Sequence, residues 1–239
     1  MIKYHGTPIT PKEIFFKYMK NKNTLISYAD YRDIDRATNI CKKVIIDNGA
    51  FSVWKQGKTI DWDDYYAFVR KHHNNIELFF IPDVIDGTEE ENNKMIDHYE
   101  RNYKESIPKG VPIWHVAESI ERLKELMSGY DYIGIGSSGE YSVLGTRQWH
   151  IKMDKAMSVL CDSNGLPKVR IHMLRCLDKK IFKYYPFYSG DSTTFAQNHK
   201  KYFKGKGNKN YSREKGILHL LSNLERYNSP ERYTKKELN

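Results

Sequence analysis

The sequence is poor in cysteine and has no long apolar run. Its three cysteines, Cys41, Cys161 and Cys176, are widely spaced and form no Cys-x-x-Cys pair, which excludes a disulfide scaffold and a cysteine-rich zinc ribbon. No apolar run approaches the roughly 18 residues of a membrane-spanning helix, and no apolar stretch follows the first lysines, so we expect no signal peptide. The 239 residues therefore predict a reduced, cytoplasmic protein that is long enough to bury a core.

Positive charge is concentrated near the C-terminus. Lys and Arg number 39 against 30 Asp and Glu, a net charge of +9, and the segment from Gln197 onward holds 11 Lys and Arg against 4 Asp and Glu, or +7. Such a segment attracts polyanions, nucleic acid above all, although a lysine-rich solvated surface has the same composition. The predicted nucleic-acid-binding residues are Lys200, Lys201, Lys204, Lys206, Lys209 and Arg213.

Short apolar runs alternate with longer amphipathic stretches. The runs that predict strands are 24–28, 44–47, 78–84, 113–117, 132–136, 169–174 and 187–191, and the predicted helices are 62–73, 89–105, 120–127, 149–161 and 179–184. This alternation is typical of a parallel sheet covered on both faces. We expect a compact (β/α)8 TIM-like barrel over residues 1–200, with a doubly wound open sheet as the alternative. We expect residues 201–239 to form a basic segment of the same domain, with a closing helix over about 213–227.

Polar residues gather where the predicted strands end. Asp47, Asp83, His115 and Asp191 each lie at or just after the end of an apolar run, and His172 lies inside one. Active sites of parallel-sheet enzymes form at the carboxyl ends of the strands. Each residue alone also fits a turn, a helix cap or a buried core position, and we expect Glu118 on the surface. Together they predict one site.

The same strand ends contain a glycine-rich motif and a possible set of metal ligands. The stretch Gly134–Gly139 matches G-x-G-x-x-G, but no helix follows it cleanly and no acidic residue ends the next strand, so we reject a dinucleotide site. Its glycines are instead expected to let backbone amides approach a flat ring or a phosphate. A metal site built from His115, His172 and an aspartate stays open as an alternative.

Four of these segments, taken in order, resemble the tRNA-guanine transglycosylase superfamily. Asp47-Asn48-Gly49-Ala50-Phe51 looks like the family's D-S-G-G-F-Q, with Ser52 in place of the glutamine. Ile81-Pro82-Asp83-Val84 matches the base-reading aspartate, Gly134-Ile135-Gly136 with Glu140 matches the glycine-rich loop, and Gly190-Asp191-Ser192-Thr193 matches the nucleophile strand. The zinc subdomain of the tRNA enzymes has no counterpart, which favours the short phage and bacterial branch that inserts 7-deazaguanines into DNA.

The resemblance implies a base exchange that needs no metal and no cofactor. Asp191 is expected to attack C1′ and to form a covalent glycosyl intermediate, and Asp47 to move the proton of the exchanged base. The partners are DNA (or tRNA) and a free 7-deazaguanine base, in the host cytoplasm if a phage encodes the protein. The expected base contacts are Asp83, Phe51, His115, Gly134, Gly136, Glu140 and His172, with Tyr31 as another candidate for stacking on the base.

Other functions remain open from the residues alone. A tRNA-guanine transglycosylase is a variant of the same reaction. An N-glycosidase or a metal-dependent hydrolase on the same barrel is the second class. A non-catalytic nucleic-acid-binding protein is the third.

Overall fold

A computed structural model describes residues 1–203 and 213–235. Strands and helices alternate through most of the described chain. The strands are β1 (Ile2–Gly6), β2 (Asn23–Ser27), β3 (Lys43–Asp47), β4 (Leu78–Phe80), β5 (Gly110–Val111), β6 (Ile113–His115), β7 (Tyr132–Gly136), β8 (Arg170–Met173) and β9 (Ser189–Ser192). The helices are α1 (Lys12–Met19), α2 (Ile34–Ile40), α3 (Ala50–Lys55), α4 (Trp62–His72), α5 (Glu89–Asn102), α6 (Ile120–Gly129), α7 (Arg147–Leu160), α8 (Lys179–Phe182), α9 (Thr194–Asn198) and α10 (Arg213–Glu225).

All nine described strands belong to one parallel sheet in the order β5-β4-β3-β2-β1-β9-β8-β7-β6. The two end strands, β5 and β6, are consecutive in the chain and only Pro112 separates them. Because β5 pairs with β4 and β6 pairs with β7, the sheet curls until its two ends meet in one short segment. The result is a nearly closed barrel-like sheet flanked by helices, which is compatible with a TIM-like barrel. The alternative of an open doubly wound sheet is wrong.

Side chains alternate between the inside of the sheet and the helix layer. Leu25 and Ile45 face inward, and their neighbours Ile26 and Ile46 pack under the helices, as the two-residue period of a strand requires. The inner cluster consists of Tyr4, Leu25, Ile45, Leu78, Phe80, Val111, Ile113, Tyr132 and Leu174. This cluster fills the lower part of the barrel and leaves its upper end, where the strands finish, for a cavity.

The seven predicted strands and five predicted helices are confirmed, with shifted boundaries. Thr88 and Glu91 form the capping box that begins α5, and the Ser119 hydroxyl caps α6 through the Arg122 amide, because both side chains satisfy otherwise unpaired amides of the first helical turn. The sequence pattern missed β1, β5 and four short helices, α1, α2, α3 and α9. No described helix is both long enough and apolar enough to cross a membrane.

Strand β1 was missed because it carries Lys3 and His5 on its outer face. Lys3 Nζ donates to the main-chain oxygen of Glu225 at 2.6 Å, and His5 Nε2 lies 3.0 Å from Glu225 Oε1. Lys22 Nζ lies 2.5 Å from the other oxygen of the same carboxylate. These contacts fasten the end of α10 to the barrel, and Ile217, Leu221 and Leu224 of that helix are buried in the same outer core.

Candidate active site

A cavity of about 620 Å³ opens at the carboxyl ends of the strands. Its floor is formed by Leu25, Ile113 and Leu174, which top the inner cluster. Its wall brings together residues that are far apart in the sequence. Six predicted site residues line it: Asp47, Phe51, Asp83, His115, Gly136 and Asp191.

Asp47 is placed by a turn that only glycine can make at its third position. Gly49 has φ of +82°, and a Cβ there would lie 2.7 Å from the Ala29 amide nitrogen, so both strain and a clash exclude other residues. Asp47 Oδ2 accepts hydrogen bonds from the Gly49 amide at 3.0 Å and from the Ser27 hydroxyl at 3.2 Å. The Asp-Asn-Gly sequence therefore forms a turn that orients the Asp47 side chain toward the cavity.

The surroundings of Asp47 disfavour its negative charge. Burial, followed by the nearby carboxylates of Asp191 and Asp83, raises the pKa of Asp47 from 3.8 to about 7, although the Gly49 amide and the Ser27 hydroxyl oppose the shift. A carboxyl group with a pKa near neutrality can both give and take a proton at physiological pH. Asp47 therefore has the property that a general acid and base needs.

Asp83 contacts residues at the ends of two other strands, β3 and β6. Asn48 Nδ2 donates to Asp83 Oδ1 at 2.8 Å and to the Ile81 carbonyl at 2.9 Å. His115 Nε2 lies 2.9 Å from Asp83 Oδ2. Burial opposes a charge on His115, but Asp83 and then Glu118 outweigh it, so the pKa of His115 is raised above its ordinary value. The pair places an acceptor and a donor side by side in the cavity wall.

Glu118 lies behind His115, and the prediction that it is on the surface is wrong. Its Oε2 accepts hydrogen bonds from the His115 amide at 2.8 Å and from Arg122 Nη1 at 2.5 Å. Asn92 Nδ2 donates to its Oε1 at 3.0 Å, and Asn92 Oδ1 accepts from the Val84 amide at 2.8 Å. This buried network ties the segment after Asp83 to the strand end that carries His115.

A second buried chain of hydrogen bonds supports Asp191. His172 Nε2 lies 3.1 Å from Asp191 Oδ1, His172 Nδ1 lies 2.5 Å from Ser189 Oγ, and Ser189 Oγ lies 2.5 Å from the Tyr132 hydroxyl. If Tyr132 donates to Ser189 and Ser189 donates to His172, the imidazole carries its proton on Nε2 and donates it to Asp191. The Arg175 amide also donates to Asp191 Oδ1 at 2.9 Å. One oxygen of Asp191 is thus held in place.

Arg175 is a cavity residue that the sequence did not reveal. Its φ of +57° is rare for a residue with a side chain. The Arg175 guanidinium lies over the cavity, 3.9 Å from the centre of the Phe51 ring, and donates to the Ser137 carbonyl. Burial lowers the pKa of Arg175, while the cavity carboxylates, Asp191 first, oppose this. The signal available in the sequence was an arginine directly after an apolar strand.

Four of the predicted base contacts lie outside the cavity lining. Gly134 is one layer deeper in β7, where a Cβ would lie 3.0 Å from the Phe80 ring, so it serves packing. Glu140 is exposed on a short 3₁₀ helix, Gly139–Tyr141. His172 is fully buried behind Asp191 and acts only as its support. Tyr31 is stacked on Tyr28 and is 49% exposed.

The predicted nucleic-acid-binding residues are only partly described. Lys200 and Lys201 are exposed on a 3₁₀ helix, His199–Phe203, that follows α9, and neither lines the cavity. Lys204, Lys206 and Lys209 lie outside the described residues. Arg213 is the first residue of α10, and its side chain also lies outside the described part.

Among the described residues, no group of three or more His, Cys, Asp and Glu side chains has an arrangement that could hold a metal ion. His172 uses both ring nitrogens for Ser189 and Asp191, and His115 faces a different carboxylate, Asp83. The two histidines that suggested a metal site therefore support two different aspartates.

Comparison with protein-family models, with curated proteins and with solved structures finds no match. The chemistry of the cavity must therefore be inferred from its own geometry and from the short motifs that line it.

Proposed function

We propose that this protein is a nucleic-acid guanine transglycosylase that exchanges guanine for a 7-deazaguanine base, in DNA rather than tRNA. The observation that carries the proposal is the pair Asp47 and Asp191, which line one cavity in two different environments. Asp47 has a pKa raised to about 7, whereas Asp191 is held by His172 and by the Arg175 amide. Two carboxyl groups in unlike surroundings are what a double displacement at a sugar carbon needs.

In the first step, a carboxylate oxygen of Asp191 attacks C1′ of the target nucleotide. The bond between C1′ and N9 breaks, its electron pair goes to N9, and protonated Asp47 gives its proton to the departing guanine. The products are free guanine, a glycosyl ester on Asp191 and ionised Asp47. The His172 and Arg175 contacts fix Asp191 Oδ1, so we assign the attack to Oδ2.

In the second step, Asp47 takes the proton from N9 of the incoming base. N9 then attacks C1′, and Asp191 leaves as a carboxylate, which restores both residues to their starting states. Because the two half-reactions mirror each other, one group with a pKa near the working pH serves both. Water must be kept from C1′ meanwhile, since its attack would leave an abasic site.

The remaining cavity residues fit a purine ring. Each oxygen of Asp83 keeps a lone pair beyond its contact with Asn48 or His115, and these can accept from N1 and the 2-amino group of guanine. His115 offers a proton to an acceptor on the ring, and Phe51 offers a flat apolar face. Gly136 leaves room above the His115 ring, which a Cβ at that position would approach to 3.0 Å.

We also propose that the barrel-like sheet is a (β/α)8 barrel. If Gly110–His115 counts as one strand interrupted at Pro112, the sheet has eight parallel strands in closed order, as a (β/α)8 barrel does. No cofactor enters the proposed mechanism.

The test is incorporation of labelled guanine into nucleic acid by the purified protein, with single-stranded DNA and unmodified tRNA as separate acceptors. We expect incorporation into DNA, and its loss in Asp191→Ala. The matched control is Asp178→Ala, which removes an aspartate that caps the nearby helix α8 but does not line the cavity. Undiminished incorporation by the Asp191 variant would remove the nucleophile and the proposal with it.

A further inference from the structure

An exposed segment at the mouth of the cavity combines an aromatic ring with lysines. Residues 54–59, Trp-Lys-Gln-Gly-Lys-Thr, are all exposed, and Trp54 is 48% exposed. No acidic residue lies between Asp47 and Asp61. The exposed Trp54 ring therefore stands beside two lysines.

This segment is continuous with the cavity. Lys55 and Gln56 belong to its lining. The Trp54 ring centre lies 5.7 Å from that of Phe51, with an angle of 34° between the rings, because the two residues are three apart on α3. A path of aromatic rings therefore leads from the inside of the cavity to the surface.

The charge distribution favours a nucleotide that binds with its base inside the cavity and its phosphates at the rim. The carboxylates of Asp83 and Asp191 line the interior beside the Arg175 guanidinium and repel phosphate groups, so a nucleotide can enter base first while its backbone stays at the rim. At the rim, Lys55 and Lys58 present positive charge. An aromatic ring flanked by lysines is a typical arrangement for binding single-stranded nucleic acid without sequence readout.

We infer that Trp54, Lys55 and Lys58 form a docking site for the nucleic-acid strand next to the reacting nucleotide. Trp54 stacks on a neighbouring base, and the lysines neutralise the adjoining phosphates. The inference rests on the proposed function for the identity of the partner, and it places the strand at the α3 rim in addition to the basic C-terminal segment.

The test is equilibrium binding of a short fluorescent single-stranded oligonucleotide, DNA and RNA in separate arms, measured by anisotropy without any free base. We expect Trp54→Ala to weaken binding at least about fivefold. The matched control is Phe16→Ala, because Phe16 is also 48% exposed but lies on α1, outside the cavity lining.

The lysines are tested by the salt dependence of binding. Replacing Lys55 and Lys58 by Gln should reduce the slope of log affinity against log salt by about 1.4, or about 0.7 for each lost phosphate contact. The control variant replaces Lys20 and Lys42, which are exposed and precede β2 and β3 at the opposite end of the barrel.

The outcomes separate this inference from the proposed function. If Trp54→Ala and the lysine variant weaken binding and their controls do not, the docking site stands even where no base exchange is detected. If these variants bind as wild type does, or if wild type binds neither strand, the docking site is refuted even where exchange occurs.

Discussion

The raised pKa of Asp47 has a consequence for stability that can be measured without knowing the substrate. The unfolded chain loses the Asp47 proton near its ordinary pKa of 3.8, whereas the folded protein keeps it to about pH 7. Between these values the folded state binds one proton more than the unfolded state, so the free energy of unfolding falls as the pH rises. Above pH 7 the full destabilisation is present.

The size of the effect follows from the shift. One pKa unit corresponds to 1.36 kcal/mol, so a shift from 3.8 to about 7 gives an upper limit of roughly 4 kcal/mol. Because Asp47 is only half-buried and lines the cavity, we expect solvent screening to reduce this to about 2 kcal/mol. Asp47→Asn keeps an oxygen for the Gly49 amide and the Ser27 hydroxyl but carries no charge. It should be more stable than wild type at about pH 8 and close to wild type at about pH 4.

The assay is urea unfolding of both proteins at these two pH values, followed by circular dichroism. The control is Glu140→Gln, which removes a carboxylate that is exposed and outside the cavity lining. If the stability difference between Asp47→Asn and wild type is the same at both pH values, burial and the neighbouring carboxylates do not raise the pKa of Asp47 as the cavity geometry requires.

Two further variants test how the site is held. Ser189→Ala breaks the hydrogen-bond chain behind His172. The exchange rate constant kcat should fall about tenfold, as expected for the loss of about one hydrogen bond, and KM should stay nearly unchanged. If this hydrogen-bond chain does not orient Asp191, steady-state kinetics would show an unaltered kcat. Gly49→Ala forces a Cβ to 2.7 Å from the Ala29 amide nitrogen at a φ of +82°, so urea unfolding should show a loss of about 1–3 kcal/mol, and a neutral substitution would contradict the turn geometry.

Much of the candidate site could be read from the sequence because the signal is local. A polar residue at the end of an apolar strand of a parallel sheet must lie at the same edge as the others, and this places Asp47, Asp83, His115 and Asp191 around one cavity. The same rule could not separate lining residues from supporting ones. It assigned His172 to the substrate, although this residue is one layer deeper and contacts Asp191 instead.

The misses depend on partners brought together by the fold or on backbone conformation, and a local sequence pattern shows neither. Glu118 looks like a surface residue until Arg122 and Asn92 are brought to it. Strand β1 looks too polar to be buried, because the Glu225 carboxylate that receives His5 lies 220 residues away in the chain. The position of the Arg175 side chain depends on an unusual backbone angle, which no local sequence pattern predicts.

The central claim is that a sugar is held on Asp191 while its purine is exchanged. The most direct measurement is the intact mass of the protein after incubation with single-stranded DNA and rapid acid quenching, followed by peptide mapping. We predict a covalent adduct with the mass of the strand less its guanine, located on the peptide that contains Asp191 and missing in Asp191→Asn. Efficient base exchange without any such adduct, or an adduct that maps to another residue, would contradict the account.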